Sequence, residues 1–147
     1  MRRLLIHTVF IVGVVAIGMA IGAVTRPGAW YAELTKPPFS PPNWLFGPVW
    51  VMLYVMIGMA GARTFERGGG MRLWLTQMAL NFAWSPVFFG LQRPALALAI
   101  VLAMLATIIA FIASRWNADR ISALLFIPYA AWVAFASLLN ASIVALN

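Results

Sequence analysis

Apolar residues fall into five blocks along this chain, and polar residues collect in the gaps between them. The blocks run approximately over Leu4–Thr25, Asn43–Ala62, Arg72–Gly90, Pro94–Trp116 and Ile121–Leu146. Each is close to the roughly 20 helical residues needed to cross a bilayer core. The gaps are Arg26–Pro42, Arg63–Met71, Leu91–Arg93 and Asn117–Arg120, and only the first is long. Irregular backbone is not tolerated facing lipid. The pattern therefore predicts an all-α integral membrane protein, a bundle of five transmembrane helices forming one domain over residues 1–147. The first block reads as a span, since its apolar run is long for a signal peptide and no soluble domain follows.

Inside the blocks the polar and aromatic residues keep helical spacing. In the third, Trp74, Gln77, Asn81, Trp84 and Phe88 recur at intervals of three and four, which places them on one face. Two amides inside a membrane span are costly without partners, so this face is expected to point into the bundle. Asn81 suits two roles equally, a helix–helix hydrogen bond or a polar group in a pocket wall. Trp74, close to the end of its block, reads as an interfacial anchor. The second block aligns Phe46, Trp50 and Tyr54, and the fifth aligns Tyr129, Trp132, Ala136 and Asn140. Aromatic stripes usually mean packing. Three of them, each with a polar tip, point instead to a concave aromatic site for a small molecule.

Pro48, Pro86 and Pro128 lie in the same three blocks. Each removes a donor and strands the carbonyl four residues earlier, which predicts kinks that open space between helices. The fourth block carries Ala95, Ala99, Ala103, Ala106 and Ala110 on one smooth face, suited to close packing inside the subunit or across a homodimer. Gly18 with Gly22, and Gly58 with Ala62, are further small pairs at four-residue spacing.

The long gap and the start of the second block, Trp30 to Trp50, hold three tryptophans, a tyrosine and five prolines. Proline makes such a segment stiff, and indole gives it flat apolar surface with one donor. Residues 26–42 read as a lid, and Ser40 reads as an N-cap ahead of Pro41-Pro42.

Composition agrees with the pattern: 64% of the 147 residues are apolar and 9% charged, against about 25% charged in average domains. The +7 formal charge comes from arginines and a lysine at block ends, the distribution of a membrane protein and not of a nucleic-acid binder. Arg2, Arg3, Arg63, Arg67, Arg72, Arg115 and Arg120 fall on one side, and Arg26, Lys36 and Arg93 on the other. The side rich in arginine is expected in the cytoplasm with the N-terminus, and the lid outside. A helical bundle belongs in an inner or plasma membrane, because outer-membrane spanning proteins are typically barrels.

Cysteine is absent, which removes thiolate chemistry and sulfur metal sites. Glu33, Glu66 and Asp119 all lie in the gaps, so the spans hold no acid and ordinary hydrolytic or metal catalysis has no residues to use. His7 is the only histidine. It reads as a packed or interfacial residue, with axial ligation of haem iron as the minor reading.

Together the motifs resemble the TspO/MBR family of tryptophan-rich sensory and translocator proteins. They are Trp30-Tyr31 with Lys36-Pro37, Pro41-Pro42, Trp44, Phe46, Trp50 and Tyr54; Gln77, Asn81, Trp84, Pro86 and Phe88-Phe89; and Pro128-Tyr129, Trp132, Ala136 and Leu139-Asn140. The resemblance implies a five-helix bundle, commonly dimeric, that binds porphyrins such as protoporphyrin IX and haem under the first loop, with no cofactor required. It implies pocket residues Trp30, Trp50, Asn81, Trp84, Tyr129, Trp132 and Ala136, to which the stripes add Phe46, Tyr54 and Phe88. It also implies, for some relatives, light-dependent degradation of protoporphyrin involving Trp50 and Trp132. Two features depart from the family: Phe39 stands where many relatives have tryptophan, and no tyrosine and basic residue follow Leu139-Asn140, so the animal sterol segment is missing.

The leading expectation is a membrane receptor or sensor that binds porphyrins, with Arg26, Lys36 or Arg93 pairing the propionates. The alternatives are a light- and oxygen-dependent enzyme using Trp50 and Trp132, and a passive transporter of porphyrins or other small apolar molecules. Coupled transport is disfavoured, since no ionisable residue lies deep in a span.

Overall fold

The computed structural model describes residues 1–147 as a helical bundle. Its elements are α1 (Arg2–Val24), a short α2 (Ala29–Glu33), α3 (Asn43–Arg67), α4 (Met71–Ser85), α5 (Pro94–Arg115), α6 (Arg120–Leu125) and α7 (Ile127–Leu146). By length and composition α1, α3, α5 and the α6–α7 segment can each cross a membrane. The third span is α4 prolonged through Pro86–Gly90 by a π-helical turn.

Local chemistry explains where the helices stop. Thr25 closes α1 by turning its hydroxyl back onto the Ile21 carbonyl at 2.6 Å, and Pro27 prevents continuation. Between α3 and α4, Gly68, Gly69 and Gly70 take φ of 76°, 84° and 91°. Three successive left-handed residues are accessible only to glycine at tolerable cost. The α3 helix outruns its expected end at Ala62 by more than a turn, because nothing before Gly68 interrupts it. Ser40 does not cap it: Pro42 occupies that position, and the Ser40 hydroxyl is buried without a partner.

The three prolines act differently. Helix α3 runs uninterrupted through Pro48. At Pro86 the α-helix gives way to the π-turn, closed by Leu91 N–H on the Pro86 carbonyl at 2.8 Å. At Pro128 the expected single span splits in two, with Phe126 (φ −88°, ψ −8°) as the joint. The missing Pro128 donor leaves the preceding turn unsupported, and Phe126 N–H pairs three residues back, with Ala123, at 3.1 Å.

Two apolar clusters fill the bundle. The larger includes Tyr54, Ile57, Trp74, Met104, Phe111, Phe126 and Tyr129, and the smaller joins Tyr31, Phe88, Ala97, Leu139 and Ile143 near the lid. Outside them, large apolar residues such as Leu5, Val9, Ile17, Leu102, Ile109 and Leu138 face outward, as lipid requires. Only Val14 and Gly18 of α1 are buried, so α1 is a peripheral wall. It packs on α3 across Gly58, where a Cβ would lie 2.7 Å from Ile11 Cα. The alanine face of α5 also points outward: Ala95, Ala99, Ala103, Ala106 and Ala110 are all exposed, so it does not pack within the subunit.

Trp74 is not an interfacial anchor. It is 5% exposed, its indole N–H donates to the Ile57 carbonyl at 3.0 Å, and its ring meets Phe10 edge-on at 5.4 Å. Gly61 makes room for it, since a Cβ there would sit 2.5 Å from the indole. Sequence position put this indole at the membrane surface, but helix packing swallowed it.

The arginine-rich ends meet on one face. Arg63 pairs with Asp119 at 2.7 Å, Ser122 donates to Asp119 at 2.5 Å, and Glu66 lies 3.1 Å from both Arg3 and His7. Burial alone would raise the Asp119 carboxyl. Hydrogen bonds from Arg63 and Ser122, with the Arg63 charge, outweigh it and hold the group below the usual carboxylate range.

Candidate functional site

A cavity of about 580 Å³ opens in the half of the bundle nearer the lid. That falls inside the range of roughly 300–1,000 Å³ typical of small-molecule sites. Helix α3 supplies Phe46, Trp50 and Tyr54, one per turn, as the stripe predicts. Helix α4 supplies Asn81 and Trp84, and α7 supplies Trp132, Val133 and Ala136. Val101 and Met104 of α5 close the inner end.

Seven sequence-predicted residues are therefore brought together around one cavity: Phe46, Trp50, Tyr54, Asn81, Trp84, Trp132 and Ala136. Three are placed elsewhere. Trp30 and Phe88 pack against each other at 5.8 Å beside this cavity, and Phe88 lines a smaller pocket with Tyr31, Leu139 and Ile143. Tyr129 is fully buried behind the wall.

Tyr129 ties the polar stripe together. Asn81 Nδ2 donates to the Tyr129 hydroxyl at 2.6 Å, and that hydroxyl donates to Gln77 Oε1 at 2.8 Å. Gln77 Nε2 in turn donates to the Trp74 carbonyl at 2.7 Å. Asn81 bonds across helices and also lines the cavity. Trp84 is oriented by a bond from its N–H to Asn140 Oδ1 at 3.0 Å, and Asn140 donates to the Pro94 carbonyl at 2.9 Å. The Trp132 N–H is buried without a partner.

Of the loop cations only Arg26 reaches the cavity wall. Lys36 is engaged elsewhere: its ammonium donates to the Tyr31, Ala32 and Leu34 carbonyls and lies 4.7 Å from the Tyr31 ring centre. Arg93 is outside the wall.

Sequence reasoning missed the contribution of α1. Gly18, Met19, Gly22 and Ala23 all line the cavity, followed by Thr25, which is hydrogen-bonded to Ser85 at 2.6 Å. The Gly18/Gly22 pair was the available signal. A Cβ at Gly18 would collide with the Tyr54 ring, whereas one at Gly22 would meet nothing within 4 Å. No group of three or more His, Cys, Asp or Glu residues could hold a metal ion.

Outward apolar faces, four helices of spanning length and an internal aromatic cavity define a multi-pass integral membrane protein with a small-molecule pocket. Comparison with known proteins narrows the class, because residues 9–146 match the TspO/MBR family. The chain belongs to that family. It is 42% identical over 144 residues to the tryptophan-rich protein TspO of Archaeoglobus fulgidus, covering 93% of this chain and 94% of the relative. Protein CrtK of Rhodobacter capsulatus is 38% identical over 135 residues, covering 87% and 84%. The human translocator protein is 36% identical over 119 residues, covering 76% and 70%.

Proposed function

We propose that this protein is a membrane receptor that binds porphyrins in the cavity and takes part in sensing or handling them. The observation that carries this reading is the cavity itself. It is a space of about 580 Å³ walled by Phe46, Trp50, Tyr54, Trp84 and Trp132, with Asn81 and Arg26 as polar points. A porphyrin is a wide flat π-system, and rings on several helices offer it stacking and edge contacts. Arg26 is the cation available to a propionate. Relatives that carry the names tryptophan-rich sensory protein and translocator protein support a role in sensing or translocation.

Titration of the protein in lipid nanodiscs with protoporphyrin IX, followed by tryptophan fluorescence, tests the reading. Saturable quenching is expected, with affinity reduced at least tenfold when Trp50 and Trp132 are both replaced by phenylalanine. Quenching that does not saturate, or that ignores both substitutions, refutes it.

Trp50 and Trp132 both line the cavity, which favours a second reading: light- and oxygen-dependent breakdown of protoporphyrin through tryptophan oxidation chemistry. Loss of the porphyrin absorption band that requires light, oxygen and Trp50 is its test. The receptor reading includes a homodimer, for which the exposed alanine face of α5 is a suitable surface. It also places the protein in an inner or plasma membrane with the arginine-rich face in the cytoplasm.

A further inference from the structure

Residues 29–41 are joined to the rest of the bundle by hydrogen bonds at a single point. The Thr35 N–H donates to Asn147 Oδ1 at 3.0 Å, and Asn147 Nδ2 donates to the Thr35 carbonyl at 2.8 Å. Apart from the Leu45 N–H on the Pro42 carbonyl at the start of α3, no other hydrogen bond crosses from the lid to the helices. One side-chain amide therefore pairs with both backbone groups of one residue, as a neighbouring strand would. The same Nδ2 also donates to the Ile143 carbonyl at 2.8 Å, which fixes the amide to the last turn of α7.

The remaining lid contacts are of another kind. Trp30 and Tyr31 lean edge-on against Phe88 and Phe89, and Phe39 lies 6.1 Å from Phe135. Such contacts hold area but not register. Lys36 stiffens the lid internally, through carbonyls of the lid itself, and adds no tie to the bundle. Both approaches to the lid, Arg26–Pro27 and Asn43–Trp44, form part of the cavity wall. Any lifting of its middle is thus transmitted to the cavity rim.

We propose that Asn147 is the positioning residue of the lid: its amide holds Thr35 down on α7 and sets how often the lid lifts. If the cavity binds a porphyrin, which rests on the receptor reading above, the latch governs how fast the ligand exchanges. An opening step precedes both entry and release, so loss of the latch speeds both. The affinity therefore changes less than either rate.

Hydrogen exchange on the protein in nanodiscs tests the latch without any ligand. The Thr35 amide is expected to be protected, and Asn147→Ala to speed its exchange about tenfold, the loss of two bonds of ordinary net strength partly shared with water. Core amides of α3 and α5 should keep their protection, which a merely structural role for Asn147 would not predict. Asn147→Asp retains the acceptor for the Thr35 N–H and should fall between the two. Stopped-flow release of protoporphyrin IX should accelerate by a similar factor in Asn147→Ala, with a smaller change in Kd. A Thr35 amide that exchanges equally in both proteins overturns the latch, and so does lost protection with an unchanged release rate. A wild-type protein that takes up no protoporphyrin refutes the receptor reading, and exchange at Thr35 then decides the latch alone.

Discussion

Replacing Tyr129 by phenylalanine removes one oxygen and leaves the ring, so it isolates the polar chain behind the cavity. In the native protein that oxygen accepts from Asn81 Nδ2 at 2.6 Å and donates to Gln77 Oε1 at 2.8 Å. Neither atom has another hydrogen-bond partner in the protein. A buried group left unpaired costs about 1–3 kcal/mol. Hydrogen bonds between membrane helices measured by double-mutant cycles average only about 0.6 kcal/mol, because the unfolded chain in the bilayer finds partners too. The two sites here should differ. Gln77 is fully buried and cannot turn to water, whereas Asn81 stands on the cavity wall and can. We therefore expect Tyr129→Phe to destabilise the protein by about 2 kcal/mol, most of it from Gln77. Reversible unfolding in mixed micelles, followed by tryptophan fluorescence, measures this. The double variant with Gln77→Leu should be less than additive, since the second change removes the orphaned acceptor. A loss below about 0.5 kcal/mol, or strict additivity, would show that the chain is not coupled as its distances indicate.

Gly18→Ala should push the Tyr54 ring toward the cavity and weaken ligand binding severalfold, while Gly22→Ala, with open space at its Cβ, should bind as the native protein does; matched titrations of the two variants decide this. Gly58→Ala sets a methyl against the Ile11 backbone and should separate α1 from α3, at about 1–3 kcal/mol in the same unfolding assay. Asp119 has a lowered carboxyl pKa in the folded state, so its contribution is present above the unfolded carboxylate range and is lost as pH falls through the folded value. Melting temperature measured down an acid series should fall more steeply in the native protein than in Asp119→Asn.

Much of the bundle was legible because lipid imposes a strict rule on backbone and surface alike. The blocks became helices, and the stripes at Phe46–Trp50–Tyr54 and Asn81–Trp84 emerged on the wall they implied. Periodicity could say which residues share a face, but not which neighbour that face meets. Hence Tyr129 and Phe88, on the correct sides of their helices, went into packing while Val101 and Met104 reached the cavity. The role of α1 was hidden for a different reason: its contribution is made by glycines, whose effect lies in the side chain they lack. Trp74 was misread because helix spacing does not reveal Gly61, the vacancy on another helix that receives it. The division of labour among Arg26, Lys36 and Arg93 likewise depended on the loop's path, which has no periodicity to betray it.

The position of α1 bears on how affinity should be expressed. Gly22 and Ala23 line the cavity from the peripheral helix α1, so any occupant would lie about one helix away from the acyl chains. An apolar ligand dissolves first in those chains, and its chemical potential near the site follows its mole fraction in the bilayer. Diluting the protein with lipid at fixed total ligand then lowers occupancy even when the aqueous volume is unchanged. Binding constants for such a site are properties of a two-phase system, comparable between preparations only when lipid content is stated alongside them.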